Sequence, residues 1–181
     1  MIMSIESYNN IRPKLGRNCY IHPQSAVIGD VELGDDCSVW PMCTLRGDVN
    51  YIRIGAGSNI QDNSVLHVTH AGPYSGDGIP LLIGEQVTVG HGVILHACTI
   101  GNRCLIGMGA IVMDGAVVED EAMVAAGAVV TPGKRVESGS LWVGNPARPA
   151  RQLNAKERES LRYSAEHYIR IKDRYLKTDT G

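Results

Sequence analysis

Aliphatic residues recur along this chain at a spacing that is neither helical nor that of an ordinary strand. Ile21, Val27, Leu33, Val39 and Leu45 follow one another at intervals of six. The phase slips by three and resumes at Ile54, Ile60 and Leu66. It breaks over Val68 to Leu82, returns at Ile83, Val89 and Leu95, and loses one residue. It then runs unbroken through Ile100, Ile106, Val112, Val118, Val124, Val130 and Val136. An amphipathic helix repeats near 3.6 residues and a half-buried strand near 2. A small residue lies four places after many of the aliphatics, as at Ser25, Cys37, Cys43, Ser58, Cys104, Ala116 and Ala128. This pattern predicts a three-sided coil in which each unit supplies one short side and one corner. Three units close a turn of about 18 residues, and turns stack about 4.8 Å apart.

The composition fits. There are 21 glycines and no phenylalanine, as thin, repetitive β-structure with tight corners requires. The five cysteines are odd in number and form no CxxC, which favours neither a disulfide framework nor a thiolate zinc site. Cys37, Cys43 and Cys104 occupy the small-residue position and read as packing. Seventeen Lys and Arg against nineteen Asp and Glu, for a net charge of −2, argue against binding nucleic acid or an anionic membrane by charge. No apolar run reaches the roughly 18 residues of a membrane span, and the first ten residues carry no signal pattern. The chain is therefore expected to be cytoplasmic.

Pro146 and Pro149 end the repeat. Asn154 with Glu157 three residues on reads as a capping box, and Leu161, Ala165, Tyr168 and Tyr175 fall near one helical face. The expected organisation is an all-β coil over 11–148, followed by a segment 149–181 with one α-helix over about 155–176, packed along the prism. Whether that helix lies on its own coil or on a neighbour stays open.

The period also registers the histidines. If the three-residue slip is a bulge and Val68 to Leu82 holds one ejected loop, then Leu45, Leu66 and Leu95 share one side. Arg46, His67 and His96, each directly after one of them, then lie one above another. His67 and His96 would be about one coil spacing apart, which suits two ligands of one metal. His91 follows Val89 by two and lies on a different side, with Asp62 one coil below it. His91 cannot easily reach the pair within one chain but a neighbouring copy could deliver it, so the spacing suggests either a three-histidine site shared across a subunit interface, with three-fold closure, or histidines that only make interface hydrogen bonds. Three neutral imidazoles leave one zinc position open for chemistry.

The six-residue repeat resembles that of the hexapeptide-repeat proteins, and the left hand of the expected β-helix is implied by that likeness. The segments LRGDVNYIRIGAGSNIQDNSVLHVTH and TVGHGVILHACTIGNRCLIGMGAIV resemble, more specifically, the γ-class carbonic anhydrase family and its shorter bacterial members. The resemblance implies a homotrimer with a metal at each subunit interface, and as its ligands His67, His91 and His96. It implies Zn2+, with Fe2+ or Co2+ also accepted by imidazole, and hydration of carbon dioxide to bicarbonate. It further implies catalytic roles for Arg46, Asp48 and Gln61, an intersubunit ion pair between Arg46 and Asp62, and a helix tyrosine, Tyr163, reaching the site. His22 and His167 read as surface residues, and His70 as a loop residue that could line the cleft.

The chain departs from the family prototype at Val49, where the prototype carries a glutamate. Its loop, AGPYSGDGIP, has Asp77 as its only acid. Rapid hydration needs a group that passes a proton to solvent, so a non-enzymatic metal-binding trimer stands beside the anhydrase; because other hexapeptide-repeat proteins are acyltransferases with the same coil signal, an acyltransferase is the other alternative.

Overall fold

The computed structural model describes residues 4–178. Parallel strands wind into a β-helix of about eight turns, and one α-helix, Ala155–Thr178, follows. Residues 179–181 of the expected C-terminal segment lie outside the described residues.

The hydrophobic period sets the register. Leu45, Leu66, Leu95, Val112 and Val130 stack on the first side. Ile54, Ile83, Ile100, Val118 and Val136 stack on the second, and Val39, Ile60, Val89, Ile106 and Val124 on the third. All fifteen are buried, and each contributes about 1.5–3 kcal/mol by leaving water. Glycine after the aliphatic is required where turns stack closely. A Cβ on Gly84 would sit 2.8 Å from Asn102 N, and one on Gly101 would sit 2.7 Å from Asp120 N.

The interruptions have distinct structural causes. The slip after Leu45 is a bulge between strands Ala26–Leu33 and Thr44–Ile54. Gly29 faces Gly47 and Val31 faces Ile52, so residues 48–51 stand opposite Asp30 alone. The residue lost after Leu95 is a tighter corner turned by buried Ala97 at φ +47°. The long break is a loop closed by antiparallel bridges between Thr69 and Ile79 and between Gly72 and Gly76, after which strand Leu81–Ile83 rejoins the coil.

Both ends of the coil extend beyond the period. Strand Ile5–Glu6 pairs with Val27 and Ile28, ahead of the expected start at residue 11. Residues Arg148–Gln152, expected to lead into the helix, instead pair antiparallel with Ser140–Val143. They cover the last coil edge, which would otherwise offer unpaired backbone to another chain.

The helix lies on the third side of its own coil. Leu161 and Ala165 are buried, while Tyr168 and Tyr175 pack their rings 5.7 and 5.2 Å from that of Trp40. Lys172 falls on the same stripe and is fully buried. Its Nζ donates to Asp36 at 3.0 Å and Asp173 at 2.6 Å, which satisfies a charge that would be costly to bury alone.

The expected capping box is present. Glu157 N donates to Asn154 Oδ1, and Asn154 N donates to Glu157 Oε2, both at 2.9 Å. Arg151 adds a two-pronged bond to Glu157 at 2.7 Å each. Together they hold the Glu157 carboxyl down at about 2, Arg151 contributing most. A carboxyl depressed on folding stabilises fully above its unfolded value, near 4.5, and loses that contribution as pH falls toward 2. Urea titrations at steps from pH 5 to 2 are therefore expected to show wild type losing more stability than Glu157→Gln over that window. Parallel curves would mean that the box is not formed in solution.

The cysteines agree with a packing role. All five are free and Cys37, Cys43, Cys98 and Cys104 are buried. Burial pushes the thiols of Cys43 and Cys104 up to about 11 and 12. Among the described residues, no helix is long and apolar enough to cross a membrane.

Candidate metal centre

Strands Val65–His67 and Ile94–His96 are direct neighbours on the first side, with His67 opposite His96. The inward Leu66 and Leu95 fix this register, so both imidazoles emerge at the same edge. His67 Nδ1 and His96 Nε2 face each other at 3.2 Å, with ring centroids 5.2 Å apart.

Each ring is held from its other nitrogen. His67 Nε2 meets Asp48 Oδ1 at 3.1 Å, and His96 Nδ1 meets Asp114 Oδ1 at 2.7 Å. Asp48 is also bonded by Arg46, and Asp114 by the hydroxyl of Thr69 at 2.5 Å. Asp48 comes from the bulge, Asp114 from the next coil and Thr69 from the root of the ejected loop. Every irregularity before Ile83 thus contributes to this edge.

The electrostatics favour a neutral His67 and anionic Asp48 and Asp114. Burial lowers the His67 pKa, aided by the Arg46 charge, and outweighs the opposing bond from Asp48. Burial alone would raise Asp48, but bonds from Arg46 and His67 hold it below its ordinary range. Burial likewise acts upward on Asp114, and bonds from Thr69 and His96 outweigh it.

This donor set fits a divalent metal. Two imidazole nitrogens, each about 2.0–2.1 Å from a tetrahedral ion, stand about 3.3 Å apart, close to the 3.2 Å observed. Carboxylates on the outer nitrogens are the usual support for metal-ligating histidines. Among the described residues, no three His, Cys, Asp or Glu side chains gather into one metal site within the chain.

His91 lies at the corner beyond the third side. It is exposed, with Nδ1 on Asp62 Oδ2 at 3.0 Å. Buried Gln61 is next to Asp62, and its amide donates to Asn59 Oδ1 at 3.1 Å. Asn59 in turn bonds Thr88, and Thr88 bonds Ser164 of the helix. An apolar groove of about 470 Å³ runs beside this corner, bordered by Gln61, His91, Leu105, Met123 and Ser164.

The structure therefore brings together Arg46, Asp48, His67 and His96, and separately Gln61, Asp62 and His91. Within the chain Arg46 bonds Asp48 rather than Asp62. Tyr163 joins neither group. It is exposed on the helix, with its ring stacked on His167 at 5.9 Å and the Arg170 guanidinium 5.5 Å from its centroid. Asp114 and Thr69 were not singled out in the sequence. The turn after Leu95 is one residue short, so a count of 17 leads from His96 to Met113, and Asp114 is the next residue; that count was the available signal.

A family model described as "Bacterial transferase hexapeptide (six repeats)" matches residues 12–47 and 97–132. Protein YrdA of Escherichia coli K12 is 53% identical over 95% of this chain and 94% of its own. "Gamma carbonic anhydrase 2, mitochondrial" of Arabidopsis thaliana is 45% identical over 88% of this chain, which spans 57% of that protein. "Probable carbonic anhydrase" of Methanocaldococcus jannaschii is 42% identical over 88% of this chain and 96% of its own. With this likeness running through the coil that stacks His67 on His96, the chain belongs to the γ-carbonic anhydrase family of hexapeptide-repeat proteins.

Proposed function

We propose that this chain is a cytoplasmic, homotrimeric metalloprotein that hydrates carbon dioxide to bicarbonate. In this reading zinc is held by His67 and His96 of one subunit and His91 of the next. The observation that carries it is the facing pair of imidazole nitrogens at 3.2 Å, each ring fixed from behind by a carboxylate. Placement of His91 on another side, bonded to its own carboxylate, supports a ligand supplied by an adjoining copy.

When bound, zinc is a Lewis acid that lowers the pKa of a coordinated water to about 7, so a nucleophile exists at neutral pH. The chain's own residues do the rest. Asp48 and Asp114 keep the protons on the outer imidazole nitrogens and hold both rings in place. Arg46, half-exposed at the same edge, neutralises Asp48 and reaches across the interface to Asp62 of the neighbour. Gln61, oriented by Asn59, hydrogen-bonds the reacting water at the mouth of the groove. Tyr163, exposed on the helix with its ring on His167, is the side chain offered toward the site of an adjoining copy.

A second reading is favoured by Val49. It stands exposed on the bulge beside Asp48 and carries no group that can accept a proton. His70, exposed and sharing a cavity wall with Asp114, and Asp77, exposed on the same loop, are the carriers the loop offers. If neither serves, the trimer binds metal but hydrates slowly.

Stopped-flow hydration by zinc-loaded protein and by iron-loaded protein prepared without oxygen tests the proposal. The expected result is a metal-dependent rate above buffer that is abolished by His67→Ala. Metal bound at one per chain with no rate from either form would leave the metal-binding trimer as the function.

A further inference from the structure

Asp114 occupies a position where the coil does not need an acid. Strand Ile94–His96 pairs with Ile111–Val112 and that with Val129–Val130, so the residue stacked one turn beyond Asp114 is Pro132. Yet each carboxylate oxygen of Asp114 has its own donor. Oδ1 meets His96 Nδ1 at 2.7 Å, and Oδ2 accepts the Thr69 hydroxyl at 2.5 Å. Thr69 is anchored independently. Its backbone exchanges two 2.9 Å bonds with Ile79, and its carbonyl accepts Asn50 Nδ2 at 3.1 Å. A cavity of about 320 Å³ lies under the loop, with Asp114 and Thr69 in its wall and Tyr74 at its rim.

We propose that Asp114 is a positioning residue for His96. It keeps the proton on Nδ1, turns the Nε2 lone pair toward His67 Nδ1, and ties that orientation through Thr69 to the seating of the ejected loop. The physical basis is the chemistry of neutral imidazole, which has one N–H and one lone pair. A carboxylate can only accept, so it selects the tautomer whose N–H points at it. The second oxygen makes the hold two-point. With Thr69 in place the carboxylate cannot rotate away from the ring, and the loop's closed root keeps Thr69 in place.

The metal consequence rests on the proposed function above, but the tautomer does not. Long-range 1H–15N correlation spectra of metal-free protein near pH 8 are expected to show His96 as the Nδ1–H form in wild type. Asp114→Ala is expected to shift it toward the Nε2–H form that an unconstrained histidine side chain prefers, whereas Asp114→Asn, whose carbonyl can still accept, retains much of the wild-type form. Chelator competition is expected to show zinc bound about 10–100-fold more weakly by Asp114→Ala. Thr69→Val gives a smaller loss, Thr69→Ser restores it, and Thr69→Val adds nothing in the Asp114→Ala background, as one shared unit requires. An Nδ1–H His96 persisting in Asp114→Ala overturns the proposal, as does zinc affinity unchanged in that variant. Wild type that binds no zinc rejects the metal reading of the site and leaves the His96 tautomer to decide the role of Asp114.

Discussion

Replacing His91 by alanine is expected to take bound metal from about one per chain to nearly none while the trimer and its coil persist. The side chain is exposed, and its one bond is to a partly exposed aspartate. Such surface changes shift stability by no more than about 0.5 kcal/mol. Loss of a ligand exceeds loss of an outer-shell support, which itself costs about 10–100-fold in affinity. Metal analysis together with light scattering after size-exclusion chromatography measures both quantities on one sample.

Mixing variants tests the sharing directly. His91→Ala chains retain the facing pair, and His67→Ala/His96→Ala chains retain the third ligand. Neither alone is expected to hold metal. In a mixed three-fold ring, only the junction at which a pair-bearing chain meets a His91-bearing chain is complete, so about one site in three is recovered. No recovery in mixed rings, or unchanged metal in His91→Ala, would mean that the cation lies elsewhere.

Much of this arrangement was readable from the sequence because the coil turns linear spacing into position. Six residues carry the chain around one corner and eighteen bring it back above itself. The slip at 48–51 and the break at 68–82 could therefore be counted through, and His67 falls opposite His96 as that count requires. The same arithmetic placed Asp62 beside His91.

What escaped had no period to follow. Ile5–Glu6 and Arg148–Gln152 pair at the coil ends, where strands are recruited by open edges rather than by inward aliphatics. The path of the helix turned on Lys172, a charged residue on an otherwise apolar stripe. Its burial depends on Asp36, 136 residues away in sequence, and local patterning does not report such a partner. Asp114 and Thr69 were legible in principle, but a threonine at the root of a loop gives no sign of its function until the loop's closure is known.

The other large effect expected is on stability. Leu95→Ala should destabilise the coil by about 2–5 kcal/mol, the range for truncating a buried leucine. Leu95 is completely buried between Leu66 and Val112 on the first side. Its neighbours above and below are held by ladder bonds on both flanks, as from Ile94 N to Ala110 O at 3.0 Å, so the space cannot close without breaking stacking. Guanidinium denaturation followed by circular dichroism and by Trp40 and Trp142 emission is the measurement. Because, apart from the helix on the third side, each turn contacts only the turns beside it, a defect in the middle can uncouple the two ends. The far-ultraviolet and tryptophan transitions are then expected to separate in Leu95→Ala where they coincide in wild type. His96 is the next residue, so its facing distance to His67 depends on the same packing, and weaker metal binding should accompany the lost stability. A variant that unfolds as wild type does would show that the coil collapses freely around a missing side chain, and that the stacked aliphatics do not set the histidine register.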